Sequence, residues 1–209
     1  MARLPLLLVI LGLTALRPGV AAAQDRAPRV GVMGQYTFAS LNWSPDQDTY
    51  RTKHWGGGVT FEVPLSDGAS IEARGLFTRR GGDTEAPRDA RTFARITVTS
   101  LTVPVLFKLG KATGMYIAGG PELSLRLRSK YEITGPGGLD ESGDLDDVVP
   151  RLDIGLTFGA GFAAKNAFVE VMWSRGRKSS EDLDDARPRF HGDESFTMRA
   201  WTIGAGVRF

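Results

Sequence analysis

Apolar residues recur at every second position through most of the chain, and convincing helical spacing is absent. The pattern is cleanest over residues 151–163. There Leu152, Ile154, Leu156, Phe158, Ala160 and Phe162 share one face, while Asp153, Gly155, Thr157, Gly159 and Gly161 share the other. Residues 115–131 put Met115, Ile117, Leu123, Leu125 and Leu127 on one side. Tyr116, Ala118, Gly120, Glu122, Ser124, Arg126 and Arg128 fall opposite. A sustained two-residue period means extended strands with one apolar and one polar face. The same reading predicts eight strands, near 29–41, 55–65, 69–80, 93–109, 115–131, 151–163, 167–176 and 196–209. In the fourth, the apolar phase slips between Ile96-Val98 and Leu101-Val103-Val105-Phe107, the mark of a bulge or an early strand boundary.

The connections between these strands alternate in length. Ser66-Asp67-Gly68, Lys111–Gly114 and Lys165-Asn166 are tight turns made of residues that accept turn geometry. Long polar connections separate them: Asn42–His54, Gly81–Thr92, Glu132–Pro150 and Arg177–Ser195. Alternating short and long connections describe an up-and-down meander whose two ends meet different environments. Bacterial outer-membrane barrels have this plan, with short periplasmic turns and long extracellular loops. An even strand number returns both termini to the short-turn end.

A soluble lipocalin-like barrel also alternates, so the direction of each face decides the matter. The polar faces mix glycines with isolated charges: Glu62, Glu72, Arg74, Lys108, Glu122, Arg126, Asp153, Glu170 and Arg208. Glycine is poor on a solvated strand surface, where it packs nothing. In the cramped interior of a small barrel it leaves room, and opposite charges can pair. The apolar faces then meet lipid, and closure satisfies every backbone polar group within the sheet, as hydrocarbon demands. The expected fold is all-β, an eight-stranded antiparallel up-and-down transmembrane β-barrel. Eight strands leave an interior just wide enough for side chains. The inward charges are therefore expected to form a salt-bridged plug rather than a conducting path, with opposite signs adjacent.

Rings support the same orientation. Trp201 and Phe209 share the apolar face of the last strand, and at ~3.3 Å per residue with a tilt of ~40° they differ in height by roughly 20 Å. Trp55 and Trp173 fall near the long-loop ends of their strands. Trp55, Trp173, Trp201 and Phe209 are the expected aromatic girdle.

The first residues lie outside this scheme. Arg3, the apolar run Leu4–Leu16 and the small residues Ala21-Ala22-Ala23 make a secretory signal peptide, residues 1–23, with Ala21 and Ala23 at the cleavage site. The run is shorter than the ~20 residues of a membrane-spanning helix. The mature domain is then residues 24–209. The whole chain has 26 Lys and Arg against 24 Asp and Glu, and removal of Arg3 and Arg17 makes the two equal. No basic surplus remains to argue for nucleic acid. The absence of cysteine excludes a disulfide scaffold and a thiolate metal site.

The chain ends in MRAWTIGAGVRF, with Trp201, Ile203, Ala205, Val207 and Phe209 on one face. This resembles the carboxy-terminal signature of outer-membrane barrels. The resemblance implies that Trp201, Ile203, Val207 and above all Phe209 form an assembly signal recognised by the barrel-assembly machinery. Further stretches, VGVMGQYTFASL, LTVPVLFKLG, YIAGGPELSL, GLTFGAGFAAK, FVEVMWSRG and IGAGVRF, resemble the PorT-type family of small outer-membrane barrels, eight-stranded and OmpA/OmpX-like. The likeness spans nearly the whole mature chain. It rests on glycine and aromatic alternation and carries no reactive signature.

Candidate chemistry is sparse. Gly159-Ala160-Gly161-Phe162-Ala163-Ala164 fits a G-x-G-x-x-A string, but a turn and another strand follow instead of the helix that a dinucleotide site needs. The acidic stretch GLDESGDLDD carries Asp140, Glu141, Asp144, Asp146 and Asp147 without EF-hand spacing, and reads as a solvated loop. His54 and His191 are the only histidines, both in long connections. His191, Glu194 and Ser195 are neighbours in one segment without a nucleophile–base–orienter geometry. The expectation is a protein of the Gram-negative outer membrane that is not an enzyme and needs no cofactor or metal. Its partners would be outer-membrane lipid and lipopolysaccharide, the assembly machinery, and a surface ligand reached by four long loops. A narrow channel or carrier for small solutes, and a soluble periplasmic lipid-binding barrel, are the alternatives.

Overall fold

The computed structural model describes residues 27–44, 49–85, 93–135, 139–145, 151–176 and 195–209. They form one antiparallel sheet: β1 (Arg29–Ser44), β2 (Thr49–Ser66), β3 (Ala69–Glu85), β4 (Phe93–Gly110), β5 (Gly114–Gly135), β6 (Leu139–Asp144), β7 (Leu152–Ala164), β8 (Ala167–Gly176) and β9 (Ser195–Arg208). The spatial order β4-β3-β2-β1-β9-β8-β7-β5 closes on itself because β4 also pairs with β5. Eight strands therefore make a closed antiparallel barrel. The short β6 stands outside the ring, paired with the far end of β5 from Lys130↔Asp144 to Gly135↔Leu139. Ala21 and Ala23, the expected cleavage residues, lie outside the described residues.

Backbone pairing continues further than alternation suggests. β1 runs to Ser44, β2 begins at Thr49, β3 reaches Glu85 and β5 reaches Gly135. Much of the expected long connections is therefore strand, and His54 sits on β2 rather than in a loop. The reason is physical. Once a sheet leaves lipid, water wets both faces, and the sequence loses its two-residue period while the hydrogen-bond ladder persists. β6, with its run of Asp140, Glu141, Ser142, Gly143 and Asp144, gives no apolar signal at all.

The short turns are built as small-loop geometry demands. Lys165 takes φ 47° in the two-residue turn between β7 and β8, the left-handed region that such turns use. Gly110 and Gly114, at φ 148° and 118°, bracket the turn between β4 and β5.

Faces separate cleanly. On β8 the side chains of Phe168, Glu170, Met172 and Ser174 are buried, whereas Val169 and Val171 are exposed. Across the barrel the exposed set is apolar: Leu156 is 64% exposed, Ile117 60% and Ile154 54%. The phase slip expected in the fourth strand falls on its neighbour. Even positions from Val98 to Lys108 all point inward on β4. The pairing instead jumps from Thr99↔Arg128 to Ser100↔Arg126, leaving Leu127 of β5 as the extra residue. Beyond that bulge Ser129 turns inward and Arg128 outward, contrary to unbroken alternation.

Candidate functional site

The lumen is packed from wall to wall. Its apolar part is a cluster of Met33, Leu76, Leu106, Tyr116, Ala118, Ala163, Phe168 and Met172. Glycines on the adjacent strands make room for the larger rings. Tyr116 pairs with Gly161, and a Cβ there would overlap the tyrosine ring. Phe168 pairs with Gly206, where a Cβ would come within 2.6 Å of the ring.

The structure buries seven of the nominated charges in this lumen: Glu62, Glu72, Arg74, Lys108, Glu122, Glu170 and Arg208. Six of them form one network. Glu62 and Glu72 face each other across β2 and β3, a like-charge pair that needs a cation. Lys108 Nζ supplies it, 2.9 Å from Glu72 and 3.4 Å from Glu62. Arg208 adds a second, 3.1 Å from Glu62 and 3.8 Å from Glu72. Arg74 donates through Nε to Glu72 and grips Glu170 with both terminal nitrogens, Nη2 at 2.8 Å. Tyr116 Oη donates to Glu170 at 2.9 Å, and Ser70 Oγ to Glu62 at 2.8 Å. Rings cover the cations: Lys108 lies 4.2 Å from the Tyr116 centroid and Arg208 4.5 Å from that of Phe168.

Glu122 has a separate partner. Arg80 Nη1 donates to it at 2.6 Å. The sequence reading misses Arg80, although the even-numbered phase of Ser70, Glu72, Arg74, Leu76 and Thr78 carries straight to it. Arg126 and Asp153 are half-buried nearer the outer rim and stand apart from the six-charge network. Arg126 donates to Ser129 Oγ at 3.4 Å and to the Leu145 carbonyl at 3.2 Å.

Little space is left. A cavity of about 20 Å³ between Arg74, Arg80, Glu122 and Glu170 has room for about one water. A recess of about 100 Å³ opens at the short-turn end and is lined by Glu62, Lys108 and Arg208.

Outside, rings gather toward the long-loop end. Trp55 is 76% exposed and tilts against Tyr36, with centroids 4.7 Å apart. Trp173 packs on Phe158 at 4.9 Å and is the register partner of Trp201. Phe209 lies at the opposite end of the same outward face as Trp201, 77% exposed, and its backbone N–H donates to the Val30 carbonyl at 2.7 Å. Ile203 and Val207 lie between them, also exposed.

Above the rings the sheet rises as a wall of β2 to β6. β5 alone has 22 residues, about 70 Å of extended chain at ~3.3 Å per residue, against an apolar band of ~25 Å. On this wall Arg95 donates to Asp83 at 2.9 and 3.1 Å, and Tyr131 to Glu141 at 3.1 Å. Asp144 is exposed, 3.8 Å from Arg128. Among the described residues no three His, Asp or Glu side chains are placed to hold a metal ion. Asp146, Asp147, His191 and Glu194 lie outside the described residues. No described helix is long and apolar enough to cross a membrane; the strands do so instead.

The family match and the superposition on Neisserial surface protein A agree with this architecture. No curated protein matches the chain in sequence. Among solved structures, Neisserial surface protein A superposes with a TM-score of 0.51 at 13% identity, over 86% of this chain and 97% of that one. Ail, the attachment invasion locus protein of Yersinia pestis, gives a TM-score of 0.47 at 13% identity, over 87% and 98%. OprG of Pseudomonas aeruginosa gives 0.43 at 12% identity, over 88% and 97%. The family described as outer membrane protein beta-barrel domain matches residues 6–209. With its apolar faces outward and its charges inward, the chain belongs to this outer-membrane β-barrel family.

Proposed function

We propose that this protein is a plugged membrane anchor that carries a stiff β wall outside the cell for surface contact, and that it performs no catalysis. The observation that carries the reading is the continuation of β2 to β6 well past the girdle, with β6 paired along β5. A ladder-bonded wall holds its side chains in fixed positions, which suits recognition of a surface. The charge-filled lumen weighs against a solute path, and the outward apolar faces weigh against a soluble lipid carrier. Within the family, the glycine and aromatic stretches support a PorT-type member exported by residues 1–23 and assembled through its last strand.

The test removes the β5–β6 part of the wall and keeps the barrel. Residues 130–144 are replaced by a two-residue turn, and folding is checked by the mobility shift of unboiled protein. Cells displaying either form are then washed over dextran-sulfate and polylysine coatings. Retention above empty-vector cells that disappears with this part of the wall is expected. Equal retention of the two forms, or none by either, contradicts the proposal.

A further inference from the structure

Two arginines stand directly opposite one another on the lipid-facing side of the sheet. Arg175 of β8 and Arg199 of β9 are register partners, and so are Trp173 and Trp201, two residues nearer the short-turn end on the same face. The ring row extends both ways. Phe158 pairs with Trp173, Trp201 with Phe38, and Phe38 with Lys53. The row above it runs Leu156, Arg175, Arg199, Ser40. A stripe of four rings is thus capped on its outer side by two guanidinium groups, with a lysine one strand beyond.

Such a pair is unfavourable by itself. Directly opposite residues have Cβ atoms about 4.5–5.5 Å apart, and like charges so placed repel. On the wall, by contrast, outward Arg95 is matched by Asp83. Among the described residues no carboxylate pairs with Arg175, Arg199 or Lys53, and the buried Nε of Arg199 has no hydrogen-bond partner. Among the described residues the patch is two facing guanidinium groups with no carboxylate between them, the electrostatics of an anion site.

We propose that Arg175 and Arg199 bind the phosphate of a phosphorylated lipid in the outer leaflet, with its acyl chains lying over Trp173, Trp201 and Phe38. Guanidinium forks match phosphate oxygens and bind them through paired charge-assisted hydrogen bonds. Interfacial tryptophans mark headgroup level, so the row just above them meets the phosphate of a seated lipid. A soluble anion would make no use of the rings, and a soluble partner would not reach them. This face is distinct from the surface-contact wall, and the site stands whether or not that wall binds anything.

The test is native mass spectrometry of the detergent-purified protein incubated with lipid A, with lipid A stripped of its phosphates, or with lipid A and equimolar inorganic phosphate. The wild type is expected to retain about one phosphorylated lipid, with Arg175→Gln/Arg199→Gln retaining ~10-fold less, as loss of two charge-assisted contacts implies. Arg95→Gln, whose arginine already has a partner, should match the wild type. Inorganic phosphate should not compete. Equal retention of the phosphorylated and stripped lipids by the wild type would overturn the proposal, as would equal retention of lipid A by the wild type and the double variant. Displacement by equimolar inorganic phosphate would also overturn it, since the site would then be one for soluble anions. The wild-type comparison decides the matter even if the double variant fails to fold.

Discussion

Arg74 on β3 and Glu170 on β8 meet across the barrel, with Nη2 of the arginine 2.8 Å from the carboxylate. Their strands are four steps apart in the sheet, on facing walls. The contact therefore ties the two sides of the lumen together, and both side chains are almost wholly buried. Breaking a buried pair by removing one partner leaves an uncompensated charge and costs about 3–5 kcal/mol. Glu170→Ala should lose stability on that scale in urea unfolding from liposomes. Replacing both residues by methionine should recover much of it. A Glu170→Ala protein as stable as the wild type would mean that Arg74 needs only Glu72.

Glu122 and Asp144 make a controlled comparison. Glu122 is buried and 2.6 Å from Arg80, whereas Asp144 is exposed and 3.8 Å from Arg128. An exposed pair contributes roughly 0–1 kcal/mol. Glu122→Ala should therefore lower the temperature at which the folded gel band is lost, while Asp144→Ala leaves it nearly unchanged. Equal melting of the two would place Glu122 in solvent.

The Gly161–Tyr116 contact predicts a specific non-additivity. A methyl group on Gly161 would press into the Tyr116 ring and disturb its hydrogen bond to Glu170. Overpacking of this kind costs about 1–3 kcal/mol. Gly161→Ala should be destabilising alone and much less so in a Tyr116→Ala background, because the two changes share one space. Denaturant titration of the four proteins measures the coupling.

Phe209 separates assembly from stability. Its ring is 77% exposed, and its strand-closing hydrogen bond to Val30 comes from the backbone. Phe209→Ala should leave a folded barrel, lowering its stability by no more than the ~1.5–3 kcal/mol of one large apolar side chain. The same change should reduce the amount of folded protein reaching the outer membrane in cells. A barrel that assembles at the wild-type level without this ring would remove its proposed role as an assembly signal.

Legibility in the sequence followed the solvent. Inside the lipid band each strand has one medium on each face, and alternation placed Glu62, Glu72, Arg74, Lys108, Glu122, Glu170 and Arg208 on the polar side. Above the band both faces are wet, so β6 and the upper parts of β2, β3 and β5 looked like loops. The bulge at Leu127 inverted Arg128, because alternation counts residues and takes no account of an unpaired one. Which charges pair was not legible, since Arg74 and Glu170 lie 96 residues apart and meet only through closure. The Arg175–Arg199 juxtaposition was hidden for the same reason: it depends on the register between β8 and β9.

The central claim is that this barrel is closed by its own charges and acts as an anchor, not a conduit. Single-channel recording of the mature protein in a planar bilayer addresses it directly. With Arg74, Lys108 and Arg208 locked to Glu62, Glu72 and Glu170, and a cavity of about 20 Å³ above them, the recording should show no steady current. Discrete, long-lived conductance steps with an ion-dependent reversal potential would contradict the plug and return the protein to the channels.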